Sequence, residues 1–218
     1  MAVTLTSTGV EFNDTTVNST ASKNSGKLIS INSWGSPGTY TWYKPAGCTK
    51  ILVQVQGAGG GGCGYCESGG AGAYTEKLID VTSVSAVTVT VGAGGVNTGY
   101  YSAAGDGGTS SFGGYCSATG GYGANRHVSH TGGHSGYPSG GDVNLRGGVG
   151  TGHGDTGGRE AVGGGGNSYF GSGYKASHST NTTNWGRTAP GAGGAGGAMQ
   201  GWAGQHGGPG IVIVYNYS

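Results

Sequence analysis

Charged side chains are scarce in this sequence, with 10 Lys and Arg, 9 Asp and Glu and a formal net charge of +1 among 218 residues. The basic residues are scattered singly, so no stretch forms the cationic patch by which proteins bind nucleic acid or anionic lipid. We therefore expect no nucleic-acid partner.

Long hydrophobic runs are also missing, because no segment approaches the roughly 18 consecutive apolar residues of a membrane-spanning helix. The residues after Met1, AVTLTSTGVEF, lack the basic and apolar regions of a signal peptide. We expect a soluble protein without membrane insertion. If it acts outside a cell, it is released by lysis rather than by secretion.

Acidic residues are too few and too dispersed for acid–base catalysis. Asp106, Asp142, Asp155 and Glu160 are separated by glycine-rich sequence rather than paired on rigid strands. Matches to G-x-G-x-x-G arise by chance at this glycine content, and none joins a strand to a helix. The sequence predicts no catalytic residues, no enzyme activity and no cofactor.

The cysteines and histidines do not complete a metal site. Cys63 and Cys66 have CxxC spacing, but the second pair that a structural zinc site needs is absent. His127 and His130 lie in a glycine-rich loop without a carboxylate or cysteine partner beside them. We expect no bound metal. Two roles stay open for Cys63 and Cys66: small buried side chains that fill space, or a local disulfide crosslink.

Glycine is the abundant residue, with 55 copies, while proline numbers 5 and no Gly-X-Y period of collagen is present. Glycine loses the most backbone entropy on folding and buries no side chain, so dense backbone hydrogen bonding or oligomerisation is expected to compensate. The runs 57–62, 163–166 and 191–197 suit polyglycine-II-like helices, which pack side by side and hydrogen-bond laterally.

Strand patterns make up most of the rest. Residues 38–43, 50–56, 73–79, 86–91 and 211–217 have β-branched and aromatic residues in short runs, and no window has a helical apolar stripe. These patterns predict an all-β, glycine-rich sandwich with polyglycine-II-like loop helices, essentially no α-helix, Trp42 in the core and 211–217 in the sheet interior. Residues 1–37, which include a short strand at 28–31, form an N-terminal β attachment or oligomerisation segment, and 38–218 form the glycine-rich domain.

Aromatic and polar residues interrupt the glycine runs beyond residue 92. Tyr, Ser, Gly and Asn with occasional Trp and Arg are the residues that binding loops favour, because they combine rigid contact area with adaptable hydrogen bonding. Each ring has an alternative role, which is to cover the glycine scaffold. The candidate binding residues are Tyr101, Tyr122, Arg126, Tyr137, Tyr174, Asn184, Trp185 and Trp202.

The order of motifs resembles the glycine-rich domain of bacteriophage tail fibre and receptor-binding proteins. The resemblance covers about residues 38–218 and is carried by Trp42-x-x-Pro45, the run 51–62, Gly72-Ala73-Tyr74, the run 87–95 and 107–113. Gly9-Val10-Glu11-Phe12 similarly resembles the stretch that precedes such domains.

The resemblance implies a virion protein of the tail fibre that has no catalytic activity. Its variable loops would bind a bacterial outer-membrane protein or a surface polysaccharide, and its N-terminal segment would contact other tail or baseplate proteins. It further implies a homotrimeric short fibre, with a monomeric cap on another fibre as the alternative. Two other functions stay open: a structural virion component without receptor binding, and an ice-binding or extracellular structural protein.

Overall fold

The computed structural model describes residues 26–64, 67–98, 102–125, 132–152, 164–173, 189–197 and 204–218, together with three short strands near the N-terminus. The strands are β1 (Val3–Thr6), β2 (Gly9–Phe12), β3 (Val17–Asn18), β4 (Leu28–Trp34), β5 (Gly38–Tyr43), β6 (Lys50–Gln56), β7 (Tyr74–Asp80), β8 (Ala86–Val91), β9 (Ser110–Phe112), β10 (Cys116–Ala118), β11 (Pro138–Ser139), β12 (Val143–Leu145) and β13 (Ile211–Tyr217). No α-helix occurs in these ranges, as the sequence predicts.

Ten strands form two antiparallel sheets that face each other. One sheet has the order β11-β10-β9-β8-β5 and the other β12-β7-β6-β13-β4, while β1, β2 and β3 pair only with one another. The C-terminal strand β13 lies between β6 and β4, which confirms its interior position. Strand β4 pairs with β13 from Leu28 to Trp34, so the short strand at 28–31 belongs to this sheet.

The space between the sheets is filled by alternate residues of the strands. Trp42 is 1% exposed and contacts Phe112 edge to face, with ring centroids 5.8 Å apart. The indole N–H of Trp42 donates to the buried Asn216 side chain at 3.0 Å, and the Asn216 amide donates to Ser30 and Asn32. Because both buried polar groups are hydrogen-bonded, the core gains the ring's apolar area without an unpaired donor.

Ten glycine-rich segments form a second layer of structure on one end of the sandwich. Within the described residues they span 57–63, 67–73, 92–98, 104–108, 119–124, 132–137, 147–151, 164–167, 191–197 and 204–210. Most of them continue directly from a strand or run directly into one, as 57–63 continues from β6. We call these ten segments the glycine lattice.

Hydrogen bonding in the lattice has a period of three residues. In segment 57–63, the N–H groups of Gly57 and Gly60 donate to segment 67–73. Those of Ala58 and Gly61 donate to segment 104–108, and those of Gly59 and Gly62 donate to segment 204–210, over 2.8–3.1 Å. The carbonyls of the same segment accept from 92–98, 119–124 and 191–197. Three residues per turn without internal hydrogen bonds defines the polyproline-II type of helix, so the predicted polyglycine-II-like conformation is confirmed.

The bonding pattern gives the arrangement of the segments in cross-section. Segments 57–63 and 67–73 bond to each other and lie at the centre, and the other eight form a closed ring around this pair, each bonded to the next. This is hexagonal packing in rows of three, four and three. Glycine permits it because a Cβ on Gly59 would lie 1.9 Å from the carbonyl oxygen of Ala192, and one on Gly62 would lie 2.0 Å from that of Ala195.

Candidate functional site

The lattice segments alternate in direction, which places five chain connections at one end. Segments 57–63, 92–98, 119–124, 147–151 and 191–197 run away from the sandwich, and the following segment returns in each case. The chain therefore reverses at the end of the lattice opposite the sandwich, which we call the far end. The connections that reverse there span 64–66, 99–103, 125–131, 152–163 and 198–203.

Six of the eight predicted binding residues lie outside the described residues: Tyr101, Arg126, Tyr174, Asn184, Trp185 and Trp202. In the sequence, Tyr101 comes after segment 92–98, Arg126 after segment 119–124 and Trp202 after segment 191–197. The other three belong to the connection 174–188. Its flanking residue Gly173 packs against the backbone of Gly165, on the side of the lattice.

The remaining two predicted residues, Tyr122 and Tyr137, lie on adjacent lattice segments. Tyr122 is 46% exposed and its ring meets His134 edge on at 6.5 Å, while Tyr137 is 51% exposed. The Tyr122 N–H donates to the His134 carbonyl, and the Thr119 N–H donates to the Tyr137 carbonyl. The two tyrosines are therefore one helical turn apart along the lattice, about 9 Å at 3.1 Å per residue.

Arg146 lies against Tyr137 and is the cation of this region. Its guanidinium carbon is 4.2 Å from the centre of the Tyr137 ring, a cation–π contact of about 0.5–1 kcal/mol at an exposed position. Within the described residues, the ion pair between Lys77 and Asp142, at 3.9 Å, does not involve Arg146. The Arg146 charge is thus compensated by no carboxylate in this part of the chain.

A small cleft opens beside Arg146, where the lattice meets the sheet of β7 and β12. It has a volume of about 140 Å³. We call it the junction cleft, and its lining consists of Gly72, Tyr74, Leu145, Arg146, Gly147, Asn167, Ser168 and Tyr169. The lining combines aromatic rings, one cation, an amide, a hydroxyl and glycine backbone.

An aromatic cluster forms one wall of the junction cleft. Tyr169 stacks on Tyr74 with ring centroids 3.8 Å apart and 15° between the planes, and Phe170 meets both rings edge on. The Tyr74 hydroxyl donates to Glu76 at 2.8 Å, and burial together with this carboxylate raises the pKa of Tyr74. Tyr74 is therefore the buried member of the cluster, held by its hydrogen bond, and Tyr169, which is 55% exposed, forms the outer surface of the cluster.

Arg146, Asn167 and Tyr169 are not among the binding residues predicted from the sequence. Tyr169 and Phe170 form an aromatic pair between glycines, which is the same signal that selects Tyr101 and Tyr122. Arg146 has no such signal, because it is a single cation after a short strand. Only the lattice brings it to Tyr137 and Tyr169.

The outer face of the sheet β12-β7-β6-β13-β4 carries several large apolar side chains. Its large exposed side chains include Ile29, Ile31, Leu78, Val143 and Leu145, with Ile31 and Leu78 more than half exposed. An antiparallel sheet that faces water normally has polar residues on that side. We call this surface the outer sheet face; it also carries Gln54 and Glu76, which are hydrogen-bonded to each other at 2.8 Å.

The cysteines of the described ranges lie in buried surroundings. Cys48 and Cys116 are buried, and burial raises the pKa of the Cys116 thiol to about 11. The Cys63 thiol contacts the Glu67 carboxylate at 3.4 Å, and Cys66 lies outside the described residues. No group of three His, Cys, Asp or Glu suited to a metal ion occurs in these ranges, nor does a helix long and apolar enough to cross a membrane.

The family of the chain follows from its glycine-rich part. A family model described as a glycine-rich domain matches residues 35–217, which comprise the sandwich from the end of β4 and the whole lattice. The protein therefore belongs to this glycine-rich domain family. No curated protein matches the sequence.

Proposed function

We propose that this protein is the tip of a bacteriophage tail fibre, and that it binds a receptor on the bacterial surface without catalysis. The observation that supports this most is the alternation of the lattice segments, which directs five connections to the far end. A scaffold held by backbone hydrogen bonds leaves the sequence of such connections free to vary. Surface loops on a rigid scaffold are where binding residues concentrate.

The composition of these connections supports contact with a receptor. They include Tyr101, Arg126 and Trp202, the residue types that most often dominate binding energy. We propose a bacterial outer-membrane protein or surface polysaccharide as the receptor. Tyr122, Tyr137 and the connection with Tyr174, Asn184 and Trp185 would extend the contact along the side of the lattice.

We further propose a homotrimer in the virion, with the N-terminal segment bound to other tail or baseplate proteins. The outer sheet face supports association between copies of the chain. Four strands of seven residues and β12 with three, at about 4.8 Å between strands and about 3.4 Å per residue, give this face roughly 500 Å². In a cyclic trimer this face would contact a different surface of the next copy, and the two surfaces together would bury the roughly 1,000 Å² that a specific interface needs.

The test is binding of the purified, fluorescently labelled protein to a panel of bacterial strains, with the mass measured by light scattering. We expect strain-selective binding by a trimer. Trp202→Ala, Tyr137→Ala and Trp185→Ala should each weaken cell binding by tenfold or more, as expected of a buried aromatic contact of about 1.4 kcal/mol or more. Their melting temperatures should stay within a few degrees of that of the unmodified protein, because Tyr137→Ala removes only the contact of about 0.5–1 kcal/mol with Arg146.

The control is Tyr43→Ala, because Tyr43 is 72% exposed and lies on β5 at the end of the sandwich farthest from the lattice. It should bind cells like the unmodified protein. If the protein binds no strain, the proposal fails and a structural virion part or an ice-binding protein becomes the better explanation, which thermal-hysteresis measurements would separate. If all three variants bind normally, the assignment of the binding surface is wrong.

A further inference from the structure

We infer that the junction cleft binds a saccharide unit that carries a carboxylate, with the sugar ring against Tyr169 and the carboxylate on Arg146. The inference deepens the proposed function, on which its biological meaning rests. The binding itself is measurable without cells.

Tyr169 offers a fixed aromatic surface. One face of its ring is covered by Tyr74 at 3.8 Å, and Phe170 lies against it edge on. Since the side chain is nevertheless 55% exposed, its other face is open. A ring locked by two aromatic neighbours loses little entropy on contact with a ligand, and it suits the apolar C–H face of a sugar.

Arg146 offers unused hydrogen-bond donors. Its guanidinium lies over Tyr137 at 4.2 Å, yet within the described residues it donates no hydrogen bond and forms no ion pair. A guanidinium has five N–H donors in a planar fork that matches a carboxylate bidentately. The contact with Tyr137 orients this fork without using its donors.

The floor and rim of the cleft fit a single polar ring. Backbone of Gly72 and Gly147 lines the cleft, and a Cβ on Gly147 would lie 2.5 Å from the Gly72 carbonyl oxygen, so no side chain can rise between them. Asn167 and Ser168 add polar groups at the rim. A volume of about 140 Å³ is well below the roughly 300 Å³ at which drug-sized pockets begin, so one sugar unit rather than a larger ligand fits.

The charge of the region favours an acidic sugar over a neutral one. No carboxylate is among the described residues that line the cleft, and Glu76, two residues along β7 from Tyr74, accepts from both Tyr74 and Gln54 at 2.8 Å. The hydroxyls of a neutral sugar would accept only ordinary hydrogen bonds from the guanidinium, whereas a carboxylate would form stronger, charge-assisted and bidentate ones with it.

The experiment is a nuclear magnetic resonance titration of the full chain with methyl β-D-glucuronide, with methyl β-D-glucoside as the matched neutral ligand. We expect weak, saturable binding of the glucuronide and at least fivefold weaker binding of the glucoside. Arg146→Gln should weaken glucuronide binding by tenfold or more and remove the preference. Tyr169→Ala should weaken both ligands, and Tyr169→Phe should restore binding because it keeps the ring.

Two controls separate the site from general effects. Lys27→Gln removes one exposed positive charge at the start of β4, and Tyr43→Ala removes one exposed ring; neither should change binding. Equal affinity for the two sugars, unchanged binding in Arg146→Gln, or displacement of the glucuronide by equimolar inorganic phosphate would each overturn the inference. If the glucuronide binds but the protein binds no bacterial strain, the inference about the cleft holds and the tail fibre proposal fails. If the protein binds bacteria but not the glucuronide, only the inference about the cleft fails.

Discussion

The sandwich and the glycine lattice are stabilised in opposite ways. In the sandwich, large side chains such as Trp42 and Phe112 are removed from water, at about 25 cal/mol for each Å² of apolar surface. The central segments of the lattice have almost no side chains, and the backbone groups bond to different neighbours in turn. Each such bond contributes only about 1 kcal/mol net, but a buried group left unpaired would cost more.

The comparison shows which feature of the sequence specifies each region. The sandwich needs apolar residues of suitable volume at alternate positions, and several residue types satisfy that requirement. The lattice needs the absence of a Cβ at defined positions, and only glycine satisfies that. The two regions meet at Gln56, whose buried amide donates to the carbonyls of Gly57, Gly72 and Ala73 over 2.9–3.2 Å.

The largest expected effect is that of a single methyl group in the lattice. Gly59→Ala would place a Cβ 1.9 Å from the Ala192 carbonyl oxygen, where neighbouring backbone rather than a flexible side chain must move. Because the segment bonds on all sides, the displacement cannot stay local. We expect a loss of more than about 4 kcal/mol in the free energy of unfolding, or no folded protein, measured by urea denaturation.

Gly114→Ala is the matched control for this substitution. No atom lies within 4 Å of a Cβ built on Gly114, which is exposed in the turn between β9 and β10. The variant should unfold within about 0.5 kcal/mol of the unmodified protein. Similar losses for both glycines would show that the close backbone packing at Gly59 is not the cause of the destabilisation.

A smaller loss is expected from a cavity in the sandwich. Phe112→Ala removes a fully buried ring that contacts Trp42, and should lower the free energy of unfolding by about 3–5 kcal/mol. The folded state should persist, because the surrounding side chains can relax into part of the space. If Phe112→Ala is more destabilising than Gly59→Ala in the same urea experiment, the lattice tolerates displacement better than its geometry indicates.

The difference between the two regions also determines which structural features can be predicted from the sequence. Strand 50–56 is predictable because apolar and polar side chains alternate along it. Segment 191–197 is predictable as an extended glycine helix from its composition alone. The lateral order of the lattice segments is not predictable, because glycines that differ only in position have no pattern to indicate which neighbours they meet. The approach of Arg146 to Tyr137 and Tyr169 depends on that order, and therefore only the structure shows the junction cleft.

The smallest expected effect is a dependence of stability on pH, and it tests how completely the core of the sandwich excludes water. The ordinary pKa of a cysteine thiol is 9.0, and burial raises the pKa of Cys116 to about 11 in the folded protein. The unfolded chain therefore loses this proton first, so the contribution of the thiol to stability is complete below pH 9 and is lost as the pH rises towards 11. The loss is of the order of 2 kcal/mol at most.

Other groups titrate in the same range, so the measurement is a difference between two proteins. The free energy of unfolding of the unmodified protein and of Cys116→Ala is determined from pH 7 to 11. We expect the stability difference between them to be constant below pH 9 and to narrow above it, because alanine has no proton to lose. A difference that stays constant up to pH 11 would mean that water reaches the thiol between β9 and β10, and that this edge of the sandwich opens more readily than its close packing indicates.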